Sequence, residues 1–203
     1  TDRIQHASRF GRGRARLPGL TTGEFVPIVQ WFLGRHVGGI VRLLVVGWNS
    51  MAKEHLDLDG LRAELNRYPE GTPMDELYGL LRRVQVSCED VASSISFGDE
   101  EYERNPISSG PGWELVCICW RPGQTSPVHD HRGSGCGILV LRGTLTETVF
   151  KNTSDGPMVK TGSRDLQQGD ICASHDDDIH RIENAGEENL ITLHVYTPPL
   201  RDV

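Results

Sequence analysis

The most informative stretch of this sequence is Pro127-Val128-His129-Asp130-His131. Residues two apart on an extended strand face the same side, so the imidazoles of His129 and His131 point to one face and can bind a single cation. Taken alone, a His-x-His pair is weak support for a metal site, because many such pairs are ordinary surface histidines. Its significance depends on the residues that surround it.

A third histidine, His180, lies about fifty residues further along, at the start of another predicted strand. Antiparallel pairing can bring it against the first two, so we predict that His129, His131 and His180 form one metal site. The usual ferrous oxygenase site combines two histidines with one carboxylate. Three neutral imidazoles instead leave the double charge of the ion uncompensated. Such a site favours an anionic ligand, above all a thiolate, and suggests a thiol substrate.

Short β-rich segments separated by turn residues begin at about residue 113. A hairpin is predicted at Arg142-Gly143-Thr144. Successive antiparallel strands without helical crossovers predict a sandwich or a small barrel. The predicted strands are Trp113–Trp120, Gly137–Leu141, Leu145–Phe150, Asp170–Ser174 and Leu190–Tyr196.

Two helices are predicted within residues 54–84, before the strands. Leu58, Leu61 and Leu65 fall at helical spacing, and a second apolar stripe begins at Met74. Thr72 is predicted as the N-cap of the second helix, with a proline at its first helical position. We expect these helices to cover one end of a sheet. The predicted fold is therefore mostly β, a single small barrel or jelly roll with N-terminal helices.

The first fifty residues differ in composition from the rest. They contain seven arginines, no lysine and two acids, whereas the whole chain carries a net charge of −7. Residues 1–50 have three interpretations: an organelle presequence, an extension that packs on the domain, or a mis-annotated start with translation beginning at Met51. Residues 51–203 form the predicted catalytic domain. The acidic net charge gives no electrostatic case for nucleic-acid binding.

Two apolar runs, Val26–Leu33 and Ile40–Trp48, are too short to span a membrane. Five cysteines, an odd number without paired spacing, argue against a secreted disulfide framework. A reducing, cytoplasmic location is therefore predicted, with neither a membrane nor a nucleic acid as partner.

The histidine motifs resemble those of the cupin superfamily. The pattern G-x5-H-x-H-x4-E-x6-G is matched by Gly123, His129, His131 and Gly143, with Cys136 in the position of the glutamate. The second pattern, G-x5-P-x-G-x2-H-x3-N, is matched at its glycine, histidine and asparagine, with substitutions at the proline and the inner glycine. These positions are Gly169, His175, Asp177, His180 and Asn184.

A closer resemblance, to the cysteine dioxygenase family, rests on Thr192-Leu193-His194-Val195-Tyr196 and the prolines that follow. The family has Ser-x-His-x-Tyr before two prolines. It implies one Fe(II) per chain on the three histidines, and catalytic roles for Tyr196, His194 and Cys136. In the animal enzymes a cysteine at the position of Cys136 is joined to the tyrosine by a thioether, so a bond between Cys136 and Tyr196 is implied.

The segment Tyr102-Glu103-Arg104-Asn105 resembles the family segment whose arginine binds the substrate carboxylate. Arginine suits that role because its planar fork makes two charge-assisted bonds to a carboxylate, and Tyr102 would assist it. In the related mercaptopropionate dioxygenases a glutamine is expected at the position of Arg104.

The resemblance therefore implies a monomeric enzyme that oxidises L-cysteine with O2 to cysteine sulfinic acid. Two alternatives remain open. One is a dioxygenase of 3-mercaptopropionate or mercaptosuccinate, and the other is a non-catalytic cupin that senses a metal or a ligand.

Overall fold

The computed structural model divides into two compact units, residues 1–52 and residues 53–203. The structure describes residues 29–36, 39–46, 55–153, 156–175 and 178–200. In the first unit, strands β1 (Val29–His36) and β2 (Gly39–Val46) pair antiparallel. Among the described residues, no helix combines the length and the hydropathy needed to cross a membrane. The three interpretations of residues 1–50 stay predictions.

The described part of the second unit contains two helices, a short 3-10 turn at Ala92–Ser94 and eight strands. The helices are α1 (Leu58–Leu65) and α2 (Met74–Leu81). The strands are β3 (Glu103–Gly110), β4 (Trp113–Trp120), β5 (Gly135–Arg142), β6 (Thr144–Lys151), β7 (Val159–Gln167), β8 (Ile171–Ser174), β9 (Ile179–Glu183) and β10 (Leu190–Thr197).

These strands form two antiparallel sheets. The larger has the order β3-β4-β10-β5-β8 and the smaller the order β7-β6-β9. The predicted mostly β fold, a small cupin-type barrel preceded by helices, is confirmed. All five of these predicted strands are present, and so is the further strand predicted at His180, which is β9, whereas β3 and β7 were not predicted.

Two apolar cores lie on opposite faces of the larger sheet. The first joins that sheet to the helices, with Leu61 of α1 and Leu77 of α2 packed against residues such as Leu193 of β10. The second lies within the barrel and draws residues from both sheets, among them Ile138 and Leu145. All eight residues of β10 are buried, because successive side chains contribute to opposite cores.

The helix boundaries correct one prediction. Asp57 caps α1 with its carboxylate, which accepts from the backbone N–H of Gly60 at 2.8 Å. The N-cap of α2 is Pro73, which provides no side-chain cap, so the prediction of Thr72 in that role was wrong. The backbone N–H of Thr72 instead donates to Thr197 Oγ1 at 2.6 Å. This bond holds Thr72 against the end of β10, and the helix begins after it.

The predicted hairpin at Arg142-Gly143-Thr144 was also wrong. The strands on either side of this turn, β5 and β6, belong to different sheets and are not paired. Gly143 has φ of +81°, a conformation that glycine adopts without strain. The turn therefore carries the chain from one sheet to the other.

The segment from Gly123 to His129 runs antiparallel to β9 and extends the smaller sheet. Ser126 N donates to Ile182 O at 2.8 Å, and the backbones of His129 and His180 bond in both directions at 2.9 Å. This pairing brings two distant parts of the sequence to the same end of the barrel.

Gly137 lies where α2 packs on β5, and it provides a test of this packing. A Cβ at Gly137 would lie 2.6 Å from Leu81 Cδ1 and 3.0 Å from Leu77 Cδ2. We expect Gly137→Ala to lower the free energy of unfolding by about 1–3 kcal/mol, because the extra methyl group overpacks this contact. Equilibrium unfolding in urea measures the change.

Gly162→Ala is the matched control, since Gly162 is also a strand glycine and a Cβ there would meet nothing within 4 Å. We expect it to change stability by less than about 0.5 kcal/mol. Equal effects of the two substitutions would contradict the packing of α2 on β5.

Candidate metal centre and active site

His129, His131 and His180 form a cluster at one end of the barrel. Their nearest ligand nitrogen atoms all lie within 4.8 Å of one another, and the Nε2 atoms of His131 and His180 are 3.2 Å apart. In the described part of the chain, this is the one group of three or more potential ligand side chains at such spacing. The distances are short enough for a single ion to contact all three rings.

Hydrogen bonds fix the tautomers of two of these rings. His129 Nδ1 lies 3.0 Å from the carbonyl oxygen of Pro127, and His180 Nδ1 lies 2.8 Å from the carboxylate of Glu147. Each acceptor requires the proton on Nδ1, which leaves a lone pair on Nε2. Both Nε2 atoms are therefore ready to bind a metal.

The protonation of the cluster also suits a metal. Burial, together with the neighbouring His180 and His129, lowers the pKa of His131 to about 4. Burial lowers the pKa of His129 as well. Rings that stay neutral at physiological pH are the form that binds metals, and imidazole is a suitable ligand for iron among the divalent transition metals. The donor set therefore fits Fe(II).

Glu147 is a functional candidate that sequence reasoning missed. It is 2 % exposed, and its carboxylate contacts His180 on one side and Arg164 on the other, at 2.8 Å and 2.6 Å. Burial opposes its ionisation, but the hydrogen bond from His180 and the charge of Arg164 lower the pKa of Glu147 below its usual value. An ionised carboxylate therefore lies directly behind one member of the histidine cluster.

A chain of hydrogen bonds runs inward from Tyr196. Thr192 Oγ1 donates to the carbonyl oxygen of Ile118 at 3.2 Å, so it can only accept from Trp120 Nε1 at 3.2 Å and from His194 Nε2 at 3.0 Å. His194 therefore carries its proton on Nε2 and has a bare Nδ1. That atom accepts from the hydroxyl of Tyr196 at 3.2 Å.

Both titratable groups of this hydrogen-bond chain, His194 and Tyr196, have shifted pKa values. Burial lowers the pKa of His194 far below its usual value, and the charge of Arg104 adds to this effect. Burial likewise raises the pKa of the Tyr196 phenol. Both groups are therefore neutral, and the carbonyl oxygen of Ile118, which can only accept, fixes the direction of the bonds in this hydrogen-bond chain because it takes the proton of Thr192.

Cys136 lies on β5 directly opposite Tyr196 on β10. Its Sγ atom is 3.7 Å from His194 Nδ1, and burial raises the pKa of its thiol. Cross-strand neighbours of this kind have adjacent Cβ atoms. The thioether between Cys136 and Tyr196 stays a prediction.

Arg104 extends from β3 over the ring of Tyr196. Its Cζ atom lies 5.0 Å from the ring centroid, and Nη1 donates to the Tyr196 hydroxyl at 3.3 Å. Nη2 lies 3.8 Å from a carboxylate oxygen of Glu114. Tyr102 stacks on Trp120 with a centroid separation of 4.2 Å. The guanidinium is half-buried and faces the same space as the histidine cluster.

A single cavity brings together all eight residues that the sequence predicted for the site. Their individual roles stay predictions. Further lining residues, including Trp120 and Ser126, were not predicted. The complete lining is Tyr102, Arg104, Ile118, Trp120, Ser126, His129, His131, Cys136, Ile138, His180, Ile182, His194 and Tyr196.

Comparison with known proteins places this site in a family context. The family model described as cysteine dioxygenase type I matches residues 72–203. Cysteine dioxygenase type 1 of Rattus norvegicus and that of Homo sapiens are each 33% identical over 132 residues, 62% of this chain and 66% of theirs. The protein of the same name from Danio rerio is 31% identical over 136 residues, 63% of this chain and 67% of its own.

Solved structures with a similar backbone include TT1209 from Thermus thermophilus, at 18% identity and a TM-score of 0.45, covering 53% of this chain and 93% of that one. BH2720 from Bacillus halodurans has 15% identity and a TM-score of 0.47, and the match covers 58% of this chain and 83% of the BH2720 chain.

The chain spans 66% of the length of its rat and human relatives. Because the family model matches well over half of its residues, the chain belongs to the cysteine dioxygenase type I family.

Proposed function

We propose that this chain is an iron-dependent thiol dioxygenase that oxidises L-cysteine with O2 to cysteine sulfinic acid. The observation that carries the proposal is the convergence of three imidazoles and one arginine on a single cavity. Membership of the cysteine dioxygenase type I family supports the same reaction. The thiol and O2 together contain all the atoms and electrons of the sulfinic acid, so no external reductant is needed.

His129, His131 and His180 would hold one Fe(II) per chain. Bound there, the ion would supply the redox chemistry that couples a thiolate to O2. The protein contributes three neutral ligands that do not offset the charge of the ion. Binding of an anionic thiolate is therefore favoured electrostatically.

Arg104 would bind the carboxylate of the substrate. The guanidinium is an obligate donor with a planar fork that matches a carboxylate, and it lies at the edge of the cavity beside the Tyr196 hydroxyl. Tyr102, fixed by its stacking on Trp120, would contact the same end of the substrate. Because a glutamine is expected at this position in the related mercaptopropionate dioxygenases, an arginine here supports cysteine over 3-mercaptopropionate.

Tyr196 would orient the reacting groups through its hydroxyl. That oxygen accepts from Arg104 and its proton points to His194, so the phenol has a defined position at the cavity wall. A thioether to Cys136 would fix the ring further.

The proposed enzyme is cytoplasmic and monomeric. The alternative from a different functional class is a cupin that binds a metal as a sensor and has no catalytic activity.

Oxygen uptake by the iron-loaded protein tests the proposal directly. We expect uptake with L-cysteine and formation of one sulfinate per O2 consumed, at a higher kcat/KM than with 3-mercaptopropionate. Preference for mercaptopropionate would overturn the specificity while leaving the thiol chemistry in place. Bound iron without uptake from either thiol would overturn the enzymatic function in favour of a sensor.

The role of Arg104 is tested by Arg104→Gln. We expect kcat/KM for L-cysteine to fall about 10- to 150-fold, which corresponds to the 1.5–3 kcal/mol of a hydrogen bond to a charged group. Steady-state kinetics measure this fall. Arg67→Gln is the control, since Arg67 is a surface residue paired with Glu64. An unchanged kcat/KM in Arg104→Gln would contradict the carboxylate assignment.

The hydrogen-bond chain behind Tyr196 is tested at Thr192. Thr192→Val removes the acceptor of both Trp120 Nε1 and His194 Nε2, so we expect a loss of about 1–3 kcal/mol in the free energy of unfolding. We also expect kcat to fall about 10- to 100-fold, because the phenol loses its fixed position.

Thr192→Ser keeps the hydroxyl, and it should retain both stability and kcat. Thr161→Val, at an exposed threonine of β7, controls for loss of a hydroxyl. If Thr192→Val keeps a normal kcat in correctly folded, iron-loaded protein, the proposed positioning of Tyr196 is wrong.

A further inference from the structure

We propose that Glu147, held by Arg164, is a positioning residue for the metal ligand His180 and supplies the negative charge that the three-histidine set lacks. The inference rests on the metal site of the proposed function. It concerns how tightly the site holds its ion, which can be measured separately from thiol oxidation.

The smaller sheet places the three side chains in a row across its strands. Glu147 lies on the central strand β6, directly opposite Arg164 on the edge strand β7. On the other side, β9 places His180 opposite Val149, one diagonal step from Glu147. Diagonal neighbours on an antiparallel sheet are within reach of long side chains. The contacts of 2.8 Å to His180 and 2.6 Å to Arg164 follow from this register.

Burial makes the contact with His180 strong. Both Glu147 and His180 are 2 % exposed, so the carboxylate has lost its hydration and depends on its protein partners. Arg164 is 54 % exposed and retains contact with water. A carboxylate held in this way has little freedom to turn away from the imidazole.

The carboxylate orients the ring in the form that binds a metal. An ionised glutamate can only accept hydrogen bonds, so His180 must present Nδ1–H to it and direct the Nε2 lone pair into the cluster. His129 achieves the same tautomer with the neutral carbonyl of Pro127. His180 is thus the ligand of the pair that contacts a full negative charge.

The same contact changes the charge of the site. Three neutral imidazoles leave a divalent ion with its whole charge, whereas Glu147 places one negative charge behind the ring of His180. Arg164 offsets only part of this negative charge, because its guanidinium is about half exposed to solvent. Through this indirect contact, the site regains part of the compensation that a carboxylate ligand provides in the two-histidine site.

Titration of the metal-free full chain with Co²⁺, followed by the visible absorption of the bound ion and by competition with a chelator, tests the inference. We expect Glu147→Ala to weaken Co²⁺ binding about 10- to 100-fold, the usual cost of losing such a partner of a metal ligand. Glu147→Gln keeps an acceptor for His180 but loses the charge, so its affinity should lie between those of Glu147→Ala and the unchanged protein.

Glu183→Gln is the matched control, because Glu183 lies on the same strand as His180 and pairs with Arg181 at the surface. We expect its Co²⁺ affinity to equal that of the unchanged protein. Circular dichroism of the metal-free variants identifies those that fold, and Glu147→Gln alone suffices if Glu147→Ala does not. Folded Glu147 variants that bind Co²⁺ within about twofold of the unchanged protein would overturn the inference and show a merely structural ion pair.

The metal titration separates this inference from the proposed function. If the unchanged protein binds metal more tightly than both Glu147 variants but consumes no O2 with thiols, the positioning role is supported and thiol oxidation fails. If all variants bind Co²⁺ equally and the unchanged protein oxidises cysteine, the positioning role is overturned and the function is unaffected.

Discussion

The backbones of His129 and His180 bond to each other in both directions at 2.9 Å, and the site is built around this pair. Strands β5 to β8 separate the two residues in the sequence, yet the pairing of the segment before His131 with β9 sets their side chains on one face of the barrel. Because the register of an antiparallel pair admits no gradual slippage, the imidazole positions are as fixed as the sheet itself. Strand pairing thus places His129 and His180 side by side, and His131 follows His129 by two residues.

β10 likewise places side chains in the wall of the cavity through strand pairing. Its inward side chains, Thr192, His194 and Tyr196, form the hydrogen-bond chain, while its outward side chains pack on the helices in the first core. The helices, which we expected only to cover a sheet end, therefore back the strand that carries the phenol. Structural and functional constraints act on alternate residues of one strand, which explains why all eight of its residues are buried.

The sequence predicted the cluster of three histidines and the five strands with regular apolar patterning, because motif spacing and period-two alternation are local signals. It did not predict β3, in which Pro106 falls at a bulge and cannot donate to a neighbouring strand. β7 was missed because all of its residues except Leu166 are exposed and show no alternation.

The sequence did contain a signal for Glu147. This residue shares one strand face with Leu145 and Val149, so the strand pattern places an acidic side chain toward the core. The assignment of Gly143 to a hairpin failed because a tight turn does not reveal which sheet receives the next strand.

β3 carries Arg104 at the edge of the larger sheet, bonded to a single neighbouring strand and interrupted by the bulge at Pro106. His129, His180 and Tyr196, in contrast, stand on segments paired within the barrel. Substitutions and small shifts are tolerated better at a sheet edge than at its centre. On the proposed assignment of Arg104, a lineage built on this scaffold can therefore exchange the residue that binds the substrate carboxylate without disturbing the histidine cluster, and new substrate preferences can arise while the proposed oxidative chemistry is inherited unchanged.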